Sequence, residues 1–237
     1  MTARSFEKLQ AEPVAQTVAR LQERIEARFP ARGLSQVAAT LHGLVGEVAD
    51  DASAHRHRIR TTRLVSRALA ALIAVGTVVV LALAVRSARG DAGPDGLDWL
   101  PLLETTINDL VFAAIAVFFL YTVPERLQRG SILKLLHRLR SLAHIIDMHQ
   151  LTKDPERLRS SFVPTSVSVE VDLDRDQMER YLDYCSELLS LVGKTAALCA
   201  EESRDSVVLD TVSTIETLTT GMSRKIWQKI SVLRATG

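Results

Sequence analysis

Glu104, Asn108 and Asp109 stand together at the front of ETTINDLVFAAIAVFFLYTVPERLQR, residues 104–129, directly before an apolar run. Two carboxylates and an amide at such a place can draw cations. Glu104 and Asn108, four residues apart, share one helical face, and Asp109 is turned about 100° from Asn108. One reading is plain: they cap the helix, where carboxylates at an N-terminus also suit its dipole. The other takes ionisable groups at membrane depth as parts of an ion path, here an acidic ring at the outer mouth of an oligomeric pore.

His144, Asp147 and His149, in HIIDMH, are metal-ligand types close together. His144 and Asp147 at i, i+3 share a face and His149 does not, so a site would need the helix to end there and a fourth ligand from elsewhere. His137, Arg140, His144 and Asp147 also read as a polar stripe beside an apolar face. No Gly-rich phosphate loop, nucleophile elbow, paired-cysteine zinc motif or glutamate-histidine metalloprotease motif is present. The expectation is a non-enzymatic protein without a cofactor. Cys185 and Cys199 lie about 21 Å apart along one expected helix, too far to bridge, and read as small core residues of a reducing compartment.

The elements that would hold these groups follow from hydropathy. Apolar residues make up 47% of the chain and aromatic ones only 5%, a helical composition. Basic and acidic residues, 29 and 28, nearly cancel, which argues against nucleic acid as a partner. Ala68 to Val85 carries no charge and as a helix reaches roughly 27 Å, close to the thickness of a hydrocarbon core. The second run, Leu110 to Val123, is shorter; extended back to Thr105 it also reaches. An Asp at the centre of a span costs about 2.5–3.5 kcal/mol and each Leu, Ile, Phe or Val returns about 0.3–0.6, so the sum favours insertion.

Arg56, Arg58, Arg60, Arg63 and Arg67 precede the first stretch, and Arg126, Arg129, Lys134, Arg138 and Arg140 follow the second. Both termini are therefore expected on the cytoplasmic side of a bacterial inner membrane. The first five basic residues suit anionic lipid headgroups, and Trp99 and Tyr121 fall where an interfacial aromatic belt belongs. High Arg and Ala content suggests a GC-rich bacterial coding sequence.

Outside the two stretches the apolar residues keep helical spacing. Val14, Val18, Leu21, Ile25 and Phe29 form one stripe, with Pro13 in the first turn and Pro30 at the stop, and Leu34, Val37, Leu41, Leu44 and Val48 form a second. Ile132, Leu136, Leu139, Ala143 and Ile146 follow Pro124, which is expected to kink its helix. Asp154 and Pro155 mark a new start. Met178, Tyr181, Cys185, Leu188, Val192 and Thr195 face a partner seam of Val208, Thr211, Ile215, Leu218 and Met222. By contrast SVSVEVDLD, residues 166–174, alternates strictly, and Val167, Val169, Val171 and Leu173 read as one side of a strand that either lies extended over a helix or pairs with a copy.

The expected fold is thus an all-α membrane protein with four parts. A cytoplasmic helical hairpin or stalk spans 1–63. A transmembrane hairpin spans 64–124, with spans at 68–85 and 105–123 and an outer loop at 86–104. A helix and linker follow at 125–165, then an extended segment and C-terminal hairpin at 166–237. The expected function is an integral membrane helical scaffold that assembles at the cytoplasmic face, as a homo-oligomer or with an unknown cytoplasmic protein. The alternative is a small oligomeric cation channel.

Overall fold

In a computed structural model the chain is described at residues 8–30, 32–90, 99–158, 162–168, 172–201 and 203–235; side chains at 51–63, 66, 80–81, 83–85, 87–90, 99–103, 105–106 and 120–128 are outside the description. Its described regular elements are all helices, with α1 at Ala11–Arg28, α2 at Gly33–Gly90, α3 at Trp99–Leu151, a 3-10 turn at Pro155–Leu158, α4 at Arg175–Ala200 and α5 at Ser206–Ala235.

Local chemistry sets these boundaries. Pro13 sits in the first turn of α1, where its missing N–H is no loss, and its carbonyl accepts from Thr17 Oγ1 at 2.7 Å. Arg28 in the last turn suits the helix dipole, and the Phe29 N–H still donates to Ile25 O at 2.7 Å before Pro30 ends the run. At α4 the Asp174 carboxylate accepts from Gln177 N–H at 2.8 Å while the Gln177 side chain accepts from Asp174 N–H at 3.2 Å, a reciprocal capping box. Asp205 does similar service for α5, accepting from Val207 and Val208 N–H at 2.9 and 3.2 Å.

The chain divides into two compact units. Unit 1 comprises Met1–Ala52 with Ser131–Gly237, and unit 2 is Ser53–Gly130. In unit 1 the seams read from sequence are buried: Val14, Val18, Leu21 and Ile25 of α1, Leu34 to Val48 of α2, Leu136 to Ile146 of α3 and Met178 to Ala196 of α4 all join one core. This corrects the expectation of separate hairpins at the two ends, because the N-terminal and C-terminal stripes share a single core. Ion pairs tie the same segments at the surface: Arg24 to Glu187 at 2.9 Å, Arg234 to Glu179 at 2.6 Å, and Arg138 to Glu47. Exposed pairs contribute about 0–1 kcal/mol each, so the apolar core dominates.

Two further expectations are corrected here. Among the described residues no helix is long and apolar enough to cross a membrane. The described side chains of the first stretch run unbroken from Arg67 to Val79 and those of the second from Ile107 to Phe119. The two-span hairpin, the inner-membrane location, the membrane scaffold and the cation channel are all withdrawn on this finding. Most of the first stretch beyond Val79, namely 80, 81 and 83–85, lies outside the described side chains.

The other correction is the alternating segment, since no strand occurs among the described residues. Ser166 and Val167 form a turn closed by Ser168 N–H to Thr165 O at 3.0 Å, with Ser168 Oγ accepting from Thr165 N–H at 2.9 Å. Hydroxyls that bond the local backbone this way favour turns over ladders. Val167 is exposed and Leu173 buried, so they do not share a face; Val169 and Val171 lie outside the described residues.

Candidate functional site

At one end of the unit 1 bundle the last turn of α3 meets the α1–α2 turn and α4. His149 Nδ1 lies 3.2 Å from the Tyr181 hydroxyl. The ring also abuts the start of α2 so closely that a Cβ built on Gly33 falls 2.9 Å from His149 Cε1. Tyr181 is 2% exposed; Phe29 meets it edge-on at 5.3 Å, and Lys153 Nζ stands 5.5 Å over its ring. Arg32 donates to Asp172 at 2.6 Å on the flank.

Behind this group Lys229 of α5 donates to the carbonyls of Gln150 and Lys153 at 2.8 and 3.2 Å, satisfying the open end of α3 with a cation where the dipole favours one. Gln150 Nε2 donates to Asp147 Oδ1 at 2.7 Å, and Gln150 Oε1 is buried with no hydrogen-bond partner among the described residues.

The electrostatics of the cluster are those of burial. Desolvation, then the nearby Lys153 charge, lowers the His149 pKa below its ordinary value, so the ring stays neutral. Desolvation followed by the Arg32 charge lowers Lys153, and desolvation lowers Lys229. Burial raises the Tyr181 phenol and pushes the Cys185 thiol up to about 12. A thiol so rarely ionised is a poor nucleophile, and Cys185 and Cys199 are both unbridged. These groups fasten α3, α4, α5 and the α1–α2 turn together.

Two outcomes follow from this geometry. Replacing Gly33 by Ala forces the His149 ring away from Tyr181, and the overpacking costs about 1–2 kcal/mol in urea unfolding. Any gain in helix propensity is smaller at a first-turn position. The second outcome concerns pH. Because the folded His149 pKa lies below the unfolded one, near 6.5, the unfolded chain takes up its proton first as pH falls. Stability is full above about pH 6.5 and declines as pH falls from there toward the folded value. Replacing His149 by Asn flattens that part of the melting-temperature profile; an unchanged slope refutes the assignment to this residue.

The remaining candidate residues do not converge. His144 is exposed, Asp147 is held by Gln150 and His149 faces Tyr181, and no group of three His, Cys, Asp or Glu side chains among the described residues could hold a metal ion. Arg67 is exposed, while the side chains of Arg56, Arg58, Arg60, Arg63, Trp99 and Tyr121 lie outside the description. Glu104, Asn108 and Asp109 are all exposed.

Unit 2 departs most from a solvated surface. Among the described side chains of unit 2, shielded positions on α2 form a narrow line, Ala70 buried with Ile73 and Thr77 half-buried, and on α3 they are Ala113 and Val117. Directly opposite the α2 line run Leu64, Ala68, Leu72, Val75, Val79 and Ala82, all exposed, at 4,4,3,4,3 spacing. Opposite the α3 line run Glu104, Asn108, Val111, Ile115 and Phe118 at 4,3,4,3 spacing, also exposed. The first stretch, read from sequence as apolar all round, therefore shows its apolar residues to the outside of the chain. Leu72 is 68% exposed and Phe112 70%. Comparison of the chain with protein-family models, with curated proteins and with solved structures gives no match.

Proposed function

We propose that this chain is a non-catalytic helical assembly protein, with unit 1 as a rigid bundle and the helices of unit 2 as its association surface. The observation that carries this reading is the outward pair of apolar stripes at three- and four-residue spacing, the spacing by which helices interlock. A soluble surface helix shows the reverse pattern, with its apolar residues turned inward and its polar ones out. Exposed apolar residues such as Leu64, Leu72, Val75, Val78 and Val79 on α2 and Val111, Phe112, Ile115 and Phe118 on α3 recur along each helix, whereas scattered single apolar residues are the ordinary surface pattern.

The bundle-end cluster supports the same reading from the other side: His149 meets Tyr181 and Lys229 meets the Gln150 and Lys153 carbonyls, contacts that join helices. The test is sedimentation of the full chain beside a Leu72→Gln/Val75→Gln variant. The expected result is a wild-type chain that self-associates or captures a partner and a variant in which that fraction falls at least tenfold. A monodisperse wild-type monomer with no change in the variant overturns the proposal.

A further inference from the structure

The α3 stripe differs from the α2 stripe at its N-terminal end: its apolar line, Val111, Ile115 and Phe118, is continued at the same spacing by an amide, Asn108, and then by a carboxylate, Glu104. A partner helix that covers Val111 and Ile115 must also cover or border Asn108. An amide side chain presents both a carbonyl acceptor and two N–H donors, so its own copy across a two-fold axis satisfies it. A wholly apolar partner would leave it desolvated and unbonded, at a cost of about 1–3 kcal/mol.

We infer that the occupant of this face is a second copy of the chain, docked with the α3 helices parallel across a two-fold axis and Asn108 paired with Asn108. The inference rests on the association surface proposed above and names its partner and register. Two more observations favour a copy over a foreign protein. Between Leu110 and Phe119 the stripe and its flanks hold no charged side chain that would select a partner by complementary charge, and obligate homodimer interfaces are the more apolar kind. The area is also of the right order. Ile107, Val111, Phe112, Ile115, Phe118 and Phe119 are 46–70% exposed; at roughly 100 Å² each they supply roughly 600 Å² of apolar surface, most of the ~800 Å² that one side of a standard interface needs.

The geometry assigns different parts to each residue. Phe118 and Phe119 already meet edge-on at 6.1 Å, giving the face an ordered aromatic end. Asn108 marks the other end and fixes register, as one polar residue in an apolar helical seam does. Glu104, one step beyond, lies at the edge of the interface where two like charges stay hydrated.

The test is oxidative cross-linking of the full chain. Asn108→Cys and Ile115→Cys are expected to form a disulfide-linked dimer at least tenfold faster than Leu110→Cys, which lies about 160° and about 140° from them around the helix, with the chain lacking any introduced cysteine as background. Asn108→Asp is expected to weaken self-association about tenfold at neutral pH, whereas Asn108→Val keeps association but loses the single dimeric size. Equal cross-linking at positions 108, 110 and 115 overturns the dimer geometry. A wild type that still associates in that case leaves the assembly reading standing, so the two failures are distinguishable. A chain that stays monomeric in buffer and as a monomer co-floats with phosphatidylcholine vesicles overturns the second copy in favour of lipid.

Discussion

Leu188→Ala destabilises unit 1 by about 3 kcal/mol. The side chain is fully buried on α4, one helical turn from Cys185 and Val192, which are equally buried, and its neighbours come from the core shared by both ends of the chain. Removing three carbons there forfeits their transfer from water and leaves a cavity that surrounding helices, each pinned by caps and cross-helix pairs, close only in part. For a chain of this size the loss corresponds to a melting temperature roughly 6–12 °C lower. Urea unfolding followed by circular dichroism checks it. The control is Leu72→Ala, a residue 68% exposed in unit 2, which leaves the unit 1 transition within about 0.5 kcal/mol. If both leucines cost the same, the contrast between a packed unit 1 and an outward-facing unit 2 is wrong.

That contrast marks how far the sequence could be read. Spacing located the buried stripes of α1 and α4 well because a helix needs one face in the core, and Val14, Val18, Leu21 and Ile25, like Met178, Tyr181, Cys185 and Leu188, leave no other face to choose. In α5 the pattern was ambiguous. Thr211 and Leu218 fit the seam as well as Val212 and Thr219 do, yet it is Val212 and Thr219 that are buried. Thr219 escapes hydropathy because its hydroxyl is satisfied within its own helix, donating to Glu216 O at 3.1 Å, so burial costs it little.

The alternating valines misled for a related reason. Period two is a strand signal only when another strand completes the ladder, and Thr165 and Ser168 instead bond each other's backbone in a turn. The joining of both ends into one core was not legible at all, since stripe periodicity says that a face is buried and not against what. The bundle-end cluster was likewise half visible: His149 was singled out as a metal ligand candidate, but nothing in HIIDMH reveals that Tyr181, from a helix 32 residues on, takes its ring nitrogen. The only local hint was Gly33, whose missing side chain makes room for that ring.

Phe29→Ala is expected to cost more than any other single truncation at that end, about 3–5 kcal/mol. The ring closes α1 and is 4% exposed, edge-on to Tyr181 at 5.3 Å and to Tyr184 at 6.2 Å, with the Arg32 guanidinium 5.9 Å over its face. Deleting it removes a buried aromatic volume and two edge-to-face contacts, each worth about 0.5–1.5 kcal/mol beyond its area. It also opens a path for water to Tyr181. Two measurements separate these effects. In a double-mutant cycle, Phe29→Leu with Tyr181→Leu is less damaging than the sum of the singles by about 1 kcal/mol, the part that belongs to ring geometry rather than volume. Titration of His149 by NMR in Phe29→Ala reports the hydration: since desolvation is the chief cause of the lowered pKa, water reaching the Tyr181–His149 pair must move it back toward 6.5. Additive singles with an unmoved His149 titration would mean that Phe29 is filler and that the bundle end is held by its hydrogen bonds alone.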